Sequence, residues 1–375
     1  MEYNFGAGPA MVAPEVLALL VEAEKAFPGT TKPLSSINHR DEKFEAMVDD
    51  TIALVKKLLD VPAGYSVLFV PGGATTQFTA WALNIVHNGK FRPMAGYVDS
   101  GHWGHEAYQL SERLYSGGVC GIRKIASTAK QNYRVYPRFE IGAQRLDYLH
   151  VVTNETVNGT QMQNLSGIPK RDGLVVVADM TSEIMSRPIP FDRFGIVYAG
   201  TQKQFGLSGT LVLIIVRDDL VQAGHPLLPE PLSYKEQIKE KGGLRNTVST
   251  GPLYSVYLTL QWIEAHGGIQ AMQQRAEMRA SQLYRILDES GSFYLGVAEH
   301  ESRSKMNVTF QLRDTNLHTA FLAYCEKAGL VGLNGHIGAH AYLGPYIRAS
   351  LYNVMPFSGV HRLIGVMHEF KKLHG

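Results

Sequence analysis

Apolar residues follow two alternating patterns along the first 250 residues or so. Between residues 41 and 60 they recur every three to four positions, which is the spacing of one face of a helix. Residues 14–27 predict a second helix, because Pro14 suits a first helical turn. Elsewhere, short runs rich in Val, Ile and Leu show no alternation, at residues 66–70, 174–177, 196–198 and 211–216. Such runs are typical of strands buried on both faces of a parallel sheet, so the pattern predicts an α/β fold.

The pattern changes after about residue 250, where long helical segments come first and short strands follow. Helices are predicted at residues 254–264, 269–287, 317–328 and 360–373, and strands at residues 293–297, 307–312 and 347–352. This order favours a smaller α+β unit. We therefore expect a large domain over residues 15–255 and a small C-terminal domain formed by residues 256–375 together with residues 1–14.

Composition narrows the classes of function. Of the 375 residues, 45 % are apolar and 19 % are charged, which is enough apolar material for a sizeable core. The formal net charge of +2 argues against a general nucleic-acid or membrane-surface binder, although it leaves room for a local anion pocket. The His, Asp and Glu residues show no metal-ligand spacing, so no metal is expected.

Cysteine usage and the N-terminus bear on the compartment. Cys120 and Cys325 are too few for a disulfide framework or a cysteine-based zinc site, although one bridge remains possible. The first residues show neither a basic nor an apolar leader segment. The longest fully apolar run, at residues 211–216, is far shorter than the roughly 20 residues of a membrane helix. We expect a soluble, cytoplasmic protein.

Ligands of open α/β sheets bind at the carboxyl ends of the strands, so the residues after each apolar run are the first candidates. Residues 71–78 combine Gly72 and Gly73 with Thr75 and Thr76 before a helical segment. Glycines, hydroxyls and the free N–H groups of a helix N-terminus together favour a phosphate cradle. The spacing matches neither common nucleotide-binding loop. An ordinary glycine-rich turn capped by threonine is the alternative.

Two further strand ends carry reactive side chains. Asp179 follows residues 174–178, and Lys203 follows residues 196–199 just before a glycine-containing turn. Either one alone has a structural explanation, as a helix cap or as a surface lysine. Together with a phosphate cradle they match the needs of pyridoxal 5′-phosphate: an anchor for the phosphate, an amine for the aldehyde and an acid for the pyridine nitrogen. Trp103, which follows another short strand, is a candidate to stack on the ring or else a core residue.

The sequence resembles the phosphoserine aminotransferases, a family of fold-type-I pyridoxal-phosphate enzymes, over nearly its whole length. The resemblance rests on short motifs in a specific order: residues 4–10, 39–40, 67–69, 72–73, 97–99 with Trp103, 154–156, 186–189, 199–203, 246–247 and 348–353. It implies a large domain with a mainly parallel, seven-stranded type of sheet flanked by helices, and a smaller C-terminal α+β domain. It also implies a homodimer with active sites at the subunit interface.

The family's cofactor-binding residues correspond to Ala74, Thr75, Trp103, Thr156, Asp179, Gln202, Asn246 and Thr247. The resemblance implies that Asp179 pairs with the pyridine nitrogen, that Trp103 stacks on the ring and that Thr156 bonds its phenolic oxygen. The others would hold the cofactor phosphate, with Asn246 and Thr247 contributed by a second subunit.

The family's catalytic and substrate-binding residues also have counterparts here. Lys203 would form the Schiff base with the cofactor and move the proton during transamination. Arg348 would clamp the α-carboxylate of the substrate, since a guanidinium binds a carboxylate through two hydrogen bonds. His39, Arg40 and His336 would face the side-chain phosphate.

One segment departs from the family pattern. The family has an arginine after the glycine–histidine pair, but Gly335 and His336 are followed here by Ile337 and by a lengthened loop over residues 338–346. A lost charge-assisted bond of about 1.5–3 kcal/mol corresponds to roughly 10–150-fold in affinity. His340, Tyr342 or Tyr346 are candidates to compensate. We favour a loop insertion with an unchanged substrate, because such insertions are well tolerated.

Three hypotheses about function follow. The first is a ping-pong transaminase that uses glutamate to convert 3-phosphohydroxypyruvate into O-phosphoserine, as in serine biosynthesis. The second is a transaminase of the same fold acting on a different small acidic or polar 2-oxo acid, which the Ile337 loop would favour. The third is a non-catalytic binding protein, which the combination of Lys203, Asp179 and Trp103 argues against. A cysteine-desulfurase relative is disfavoured because Cys325 lies on a predicted helix.

Overall fold

The computed structural model describes residues 2–85, 93–116, 120–142, 145–206, 211–221, 224–225, 228–245 and 247–375. The helices are α1 (Pro14–Lys25), α2 (Glu42–Leu59), α3 (Ala74–Ile85), α4 (His102–Tyr115), α5 (Tyr234–Ile238), α6 (Thr250–Ala265), α7 (Gly268–Asp288), α8 (His318–Lys327), α9 (His340–Leu343) and α10 (Phe357–His374). The strands are β1 (Tyr3–Asn4), β2 (Tyr65–Pro71), β3 (Met94–Asp99), β4 (Gly121–Ser127), β5 (Tyr148–Val152), β6 (Asn154–Glu155), β7 (Thr160–Gln161), β8 (Val175–Asp179), β9 (Ile196–Gly200), β10 (Leu211–Arg217), β11 (Tyr294–Gly296), β12 (Asn307–Leu312), β13 (Leu330–Val331) and β14 (Ile347–Ser350).

A seven-stranded sheet with the order β2-β10-β9-β8-β5-β3-β4 forms the centre of the larger unit. Strands β4, β3, β5, β8 and β9 all run parallel to one another, as expected. Strand β10 is antiparallel to both β2 and β9, so the expectation that residues 211–216 form a parallel strand is wrong. Only ten residues separate the end of β9 from the start of β10, which is too short for the crossover that a parallel neighbour requires.

Both faces of this sheet are covered, which explains the absence of alternation in its strands. In β2, Val67 and Phe69 enter a core shared with α1, α2 and α6. Their neighbours Leu68 and Val70 enter a second core shared with α3 and α4. Successive side chains of a strand point to opposite faces, so a strand with a core on each side must be apolar throughout.

Helix α2 shows how local sequence sets an element's ends. The Asp41 carboxylate accepts the backbone N–H of Lys43 and caps the first turn, and Asp60 ends the helix in a left-handed conformation. Phe44, Val48 and Val55 lie on the buried face at helical spacing. The predicted helix over residues 41–60 is confirmed, as is the one predicted at residues 14–27.

The smaller unit contains the antiparallel sheet β11-β12-β14, with α8, α10 and the second half of α7 packed around it. All the helices and strands predicted after residue 250 are present within a few residues of their expected ends. The N-terminal strand β1 pairs with β13, and Phe5 lies in the core of this unit. Helix α6 packs in the core of the larger unit, so we propose a domain boundary within α7 and not at residue 255.

Both cysteines are buried thiols without a disulfide. Cys120 lies in the core beside α3 and α4, whereas Cys325 lies in the core of the smaller unit. Burial raises the pKa of both thiols, to about 11 for Cys120 and to about 12 for Cys325, so neither is a ready nucleophile. Among the residues that the structure describes, no helix combines the length and hydropathy of a bilayer-spanning segment.

Arg279 joins α7 to the segment that follows β14. Its side chain is 1 % exposed, and Nη1 donates to the backbone carbonyls of Tyr352, Asn353 and Met355. Burial lowers the pKa of the guanidinium to about 10, which leaves it charged at neutral pH. The strand that carries Arg348 is therefore followed by a chain segment whose carbonyls depend on one buried cation.

Replacing this cation should destabilise the protein strongly. We expect Arg279→Leu to lower the free energy of unfolding by about 3 kcal/mol or more, because the three carbonyls lose their shared donor. The matched control is Arg285→Leu on the exposed face of the same helix, which should change stability by about 0.5 kcal/mol or less. Thermal unfolding followed by circular dichroism measures both. Equal midpoints for the two variants would contradict this role of Arg279.

Candidate active site

One cleft collects the ends of the central strands. Strands β2 and β9 both run antiparallel to β10, so their carboxyl ends lie at the same edge of the sheet as those of β3, β5 and β8. A cleft of about 130 Å³ opens there. It is lined by Gly73, Ala74, Thr75, Phe78, Trp103, Val152, Asn154, Thr156, Asp179, Thr181, Ser182, Gln202 and Lys203. The structure thus brings together Lys203 and six of the eight predicted cofactor-binding residues.

A larger groove of about 350 Å³ lies near the amino ends of β8 and β9. Its charged side chains include Arg217, which pairs with Asp219, and Asp192, which pairs with Lys170. Paired surface ions at the amino ends of strands are a weak basis for a ligand site. The smaller cleft is the better candidate because it contains buried titratable groups with shifted pKa values.

Lys203 is a buried amine in the centre of the cleft. Its side chain is 7 % exposed, and Nζ donates to the Thr156 hydroxyl at 2.6 Å. The pKa of the amine is lowered to about 8, mainly by burial and also by the nearby charge of Arg348, while Asp179 and Glu155 oppose the fall. A large fraction of the amine is therefore neutral near pH 8, as a nucleophile or a general base requires.

Asp179 ends strand β8 on the cleft wall. Its carboxylate accepts the backbone N–H of Thr181 at 2.9 Å. Burial raises the pKa of the Asp179 carboxyl, while the hydrogen bonds from Thr181 and the charge of Lys203 favour its ionised form. A buried carboxylate with few partners is suited to a ligand that brings a positive or proton-bearing nitrogen.

The turn between β2 and α3 forms a second wall. Gly72 has a φ of +116°, and a Cβ there would lie 2.9 Å from the Thr76 hydroxyl, so the turn requires glycine. Helix α3 begins at Ala74, and the N–H groups of a first helical turn have no partner within the helix. Ala74 and Thr75 therefore offer an anion-binding helix end to the cleft.

The N-terminal segment closes the floor beside Lys203. The backbone N–H of Ala10 donates to the carbonyl of Gln202. A Cβ at Gly8 would lie 3.1 Å from Cγ of Gln202 and 3.7 Å from Cγ of Lys203. The glycine lets the chain pass this close, which connects the early motif at residues 4–10 to the site.

Glu155 positions Trp103 and was missed as a site residue at the sequence level. Its carboxylate accepts the backbone N–H of Trp103 at 3.0 Å and that of Gly104 at 2.8 Å, together with the Ser100 hydroxyl. Burial raises the pKa of Glu155 to about 7, and these donors oppose the rise. Glu155 directly follows the buried run of β5 and Thr153–Asn154, so the strand-end signal that identified Asp179 applies to it as well.

Further polar side chains of the lining were not singled out from sequence. Asn154 and Ser182 form reciprocal hydrogen bonds that join the segments after β5 and β8. The Thr181 hydroxyl accepts the N–H of Gly200 and joins the segment after β8 to the end of β9. These contacts hold neighbouring strand ends in a fixed arrangement. The spacing of the residues in the sequence does not predict them.

Arg348 and His336 lie on a hairpin beside the cleft. The N–H of Arg348 donates to the carbonyl of Leu333, and the N–H of Gly335 donates to the carbonyl of Tyr346. The two arms place His336 close enough for the charges of Arg348 and Lys203 to lower its pKa, after burial as the main cause. Arg348 is 8 % exposed, and its Nε has no hydrogen-bond partner among the described residues.

The remaining predicted site residues that the structure describes do not line this cleft. Arg40 pairs with Glu240 at 3.8 Å, and His39 is buried next to it in the chain, with no hydrogen-bond partner for Nε2 among the described residues. Thr247 is exposed, and Asn246 lies outside the described residues. Of the described residues, His39, Arg40 and Thr247 are therefore not part of the cleft lining around Lys203 in a single chain.

The lengthened loop packs back on the protein. The Tyr342 hydroxyl bonds Asn158 and its ring contacts Tyr133, while the fully buried Tyr346 accepts the N–H of His336 at 2.8 Å. His340 is exposed, and the side chain of Ile337 is 83 % exposed. The two tyrosines thus hold the loop in place, and Ile337 adds no apolar surface to the cleft.

The residues of the cleft fit the chemistry of pyridoxal phosphate. An anion-binding helix end, a buried amine and a buried carboxylate share one cavity with the aromatic and apolar side chains of Phe78, Trp103 and Val152. The unpartnered Nε of Arg348 adds a donor for a second anion. These groups match a planar aromatic ligand that carries a phosphate, an aldehyde and a ring nitrogen.

Comparison with known proteins identifies the family of this chain. The family model for class-V aminotransferases matches residues 2–363. The chain is 36 % identical over 375 residues to a phosphoserine aminotransferase of Niallia circulans, covering 100 % of the chain and 99 % of that protein. It superposes on the phosphoserine aminotransferase structure from Bacillus circulans subsp. alkalophilus with a TM-score of 0.91 and 34 % identity, covering 100 % and 99 % of the two chains. A pyridoxal-phosphate-bound phosphoserine aminotransferase from Trichomonas vaginalis gives 0.89 and 27 %, covering 98 % and 100 %.

The buried amine predicts a pH-dependent change in stability. Because the pKa of Lys203 falls from 10.5 to about 8 on folding, the unfolded chain binds more protons between these two pH values. Wild-type stability should therefore rise by about 3 kcal/mol across that window relative to Lys203→Met, which carries no charge. At pH 7, and without cofactor, Lys203→Met should therefore be more stable than the wild type.

Thermal unfolding of the two cofactor-free proteins at pH 7, 8, 9 and 10 tests this expectation. The midpoint of the wild type should approach that of Lys203→Met as the pH rises. A difference that stays constant over the whole range would show that the Lys203 amine is solvated in the folded protein.

Proposed function

The chain belongs to the class-V aminotransferase family, and we propose that it transfers the amino group between glutamate and 3-phosphohydroxypyruvate, forming O-phosphoserine and 2-oxoglutarate. The main observation in support of the proposal is a single cleft that contains the Lys203 amine, the Asp179 carboxylate and the N-terminus of α3. Arg348 lies close enough to this cleft for its charge to lower the pKa of Lys203. Its support beyond the geometry is full-length similarity to phosphoserine aminotransferases.

Pyridoxal 5′-phosphate, when bound, supplies a ring that takes up the electrons released at the substrate's α-carbon. We propose that Ala74, Thr75 and Gln202 hold its phosphate. Asp179 would keep a proton on the ring nitrogen, since a positive neighbour stabilises the ionised form of a buried carboxylate. Trp103, fixed by Glu155 through its backbone N–H, would cover one face of the ring.

Lys203 is the proposed Schiff-base and proton-transfer residue. With a pKa near 8, its amine is able to accept the α-carbon proton and return it at neutral to mildly basic pH. The Thr156 hydroxyl, which accepts from Nζ in the structure, would be free to bond the ring's phenolic oxygen once the amine is engaged elsewhere.

Arg348 is the proposed clamp for the substrate's α-carboxylate, because it lies close enough to influence the charge of Lys203 and has an unpartnered Nε. We propose that His336 faces the side-chain phosphate, joined by His39 and Arg40. These last two residues do not line the cleft of their own chain, which favours a homodimer in which they, with Asn246 and Thr247, serve the partner's cleft.

The alternative of a different 2-oxo acid is not favoured. It rested on the replacement of an arginine by Ile337 and on the lengthened loop, but the Ile337 side chain is exposed to solvent and adds no apolar surface to the cleft. The relatives matched over their full length carry the name phosphoserine aminotransferase. The proposal therefore includes a role in serine biosynthesis. We place this role in the cytoplasm, because the two cysteines are free thiols and a reducing compartment keeps thiols in that state.

A half-reaction experiment tests the proposal. The protein is loaded with pyridoxal phosphate, mixed with O-phospho-L-serine or with L-glutamate, and followed by absorbance. We expect both amino acids to convert the cofactor to its amine form, because the same Arg348 clamp serves both. Conversion by glutamate alone would keep the transaminase and reject phosphoserine as the substrate.

Steady-state turnover of Lys203→Ala tests the role of the lysine, and we expect turnover to be abolished in this variant. Arg285→Leu, an exposed change in α7, should turn over like the wild type. Retained turnover in Lys203→Ala would contradict the role assigned to this lysine.

A further inference from the structure

Two imidazoles meet at the mouth of the cleft. The rings of His102 and His336 lie 4.7 Å apart between centroids. Both approach the Trp103 ring edge-on, at 4.9 Å for His102 and 6.3 Å for His336. Since Trp103 lines the cleft and its ring lies 5.8 Å from Nζ of Lys203, the pair lies next to the cleft, against a residue of its lining.

The backbone around both histidines is fully engaged. The N–H of His102, the first residue of α4, donates to the Asn158 side chain at 3.0 Å. The next two N–H groups of α4 are taken by Glu155. An anion arriving here is therefore not bound by the end of this helix, and the side chains must bind it.

The loop around His336 sets the donor nitrogen. The N–H of Gly338 donates to Nδ1 of His336 at 3.2 Å, so the proton of the neutral ring resides on Nε2. A Cβ at Gly338 would lie 3.1 Å from the His336 ring and 3.5 Å from the His102 ring. The glycine lets the loop lie against both rings without filling the space beside them.

Several titratable and charged groups face this pair. His102 faces His336, His105 and the Glu106 carboxylate at 3.5 Å. His336 faces Arg348, Lys203, His340 and Glu106. Burial, with smaller contributions from His336 and His105, lowers the pKa of His102 to about 4, so this ring is neutral at pH 7. Burial, reinforced by the charge of Arg348, lowers the pKa of His336. An arriving anion reverses this balance and favours the protonated rings.

We propose that His102 joins His336 in binding the distal anion of the substrate, and so determines specificity for a phosphorylated amino acid. This inference rests on the proposed function and extends its substrate site. The other candidates of the lengthened loop are engaged elsewhere: Tyr342 bonds Asn158, and Tyr346 bonds the backbone of His336. The His102 side chain is 20 % exposed, and its ring contacts that of Trp103, which lines the cleft.

A pH dependence follows from this arrangement. A bound dianion raises the pKa of both rings, so binding takes up protons and weakens as the pH rises from about 6.5 to about 8.5. The phosphate of the substrate stays largely dianionic over this range, since its second pKa is about 6. An amino acid without a distal anion, such as L-alanine, does not share this effect.

The experiment measures kcat/KM for the half-reactions of O-phospho-L-serine and L-alanine with the cofactor-loaded protein, and takes their ratio. We expect His102→Ala to lower this ratio about tenfold or more, which is the size of a lost charge-assisted hydrogen bond. His102→Gln, which keeps a donor, should recover part of the loss. The wild-type ratio should fall from pH 6.5 to 8.5, and the fall should be smaller in His102→Ala.

His340→Ala is the matched control, because this histidine faces His336 but is exposed and packs on Tyr346. Its ratio should stay within about twofold of the wild type. An unchanged ratio in His102→Ala, or a loss of the same size for both amino acids, would overturn the inference while phosphoserine remained a substrate. If the wild type converts glutamate but not O-phospho-L-serine, the proposed function itself fails, and the inference fails with it.

Discussion

The site is organised around a lysine amine removed from water. The sheet delivers Lys203 to a position where 7 % of its side chain is exposed, and the lost hydration lowers its pKa to about 8. The buried carboxylates of Asp179 and Glu155 oppose this fall, whereas Arg348 reinforces it. The result is an amine that is held near its point of half-ionisation at the pH at which proton transfer is needed. An exposed lysine, with a pKa near 10.4, would be almost wholly protonated there.

The architecture follows from this requirement. Parallel strands collect their carboxyl ends at one edge, so segments far apart in sequence supply the acid, the amine and the anion cradle with short connections. The helices that cover both faces of the sheet exclude water, and the electrostatic interactions between the charged groups of the site are stronger as a result. The smaller unit then adds Arg348 on a hairpin, whose following segment is held by the buried Arg279. Rigid positioning of charge, more than any single contact, is what this fold supplies.

Much of this arrangement was predictable because strand ends can be identified from apolar runs. Lys203, Asp179, Trp103 and the helix start at Ala74 were all found in that way. The antiparallel direction of β10 was not predicted, because a strand that is buried on both faces has the same apolar pattern in either direction. Only the short connection between β9 and β10 indicates the direction. The roles of Glu155 and His102 depend on contacts across more than 50 residues, which no local pattern records. Residues that do not line the cleft of their own chain, such as His39 and Arg40, were identified by resemblance alone.

The central claim is that Lys203 is the residue that binds the cofactor aldehyde. Borohydride reduction of the cofactor-loaded protein, followed by proteolysis and mass spectrometry, tests it directly, because reduction makes the lysine–cofactor bond permanent. We expect a single modified peptide that contains Lys203, and loss of the label in Lys203→Ala. A label on another lysine, or spread over several surface lysines with Lys203 unmodified, would contradict it.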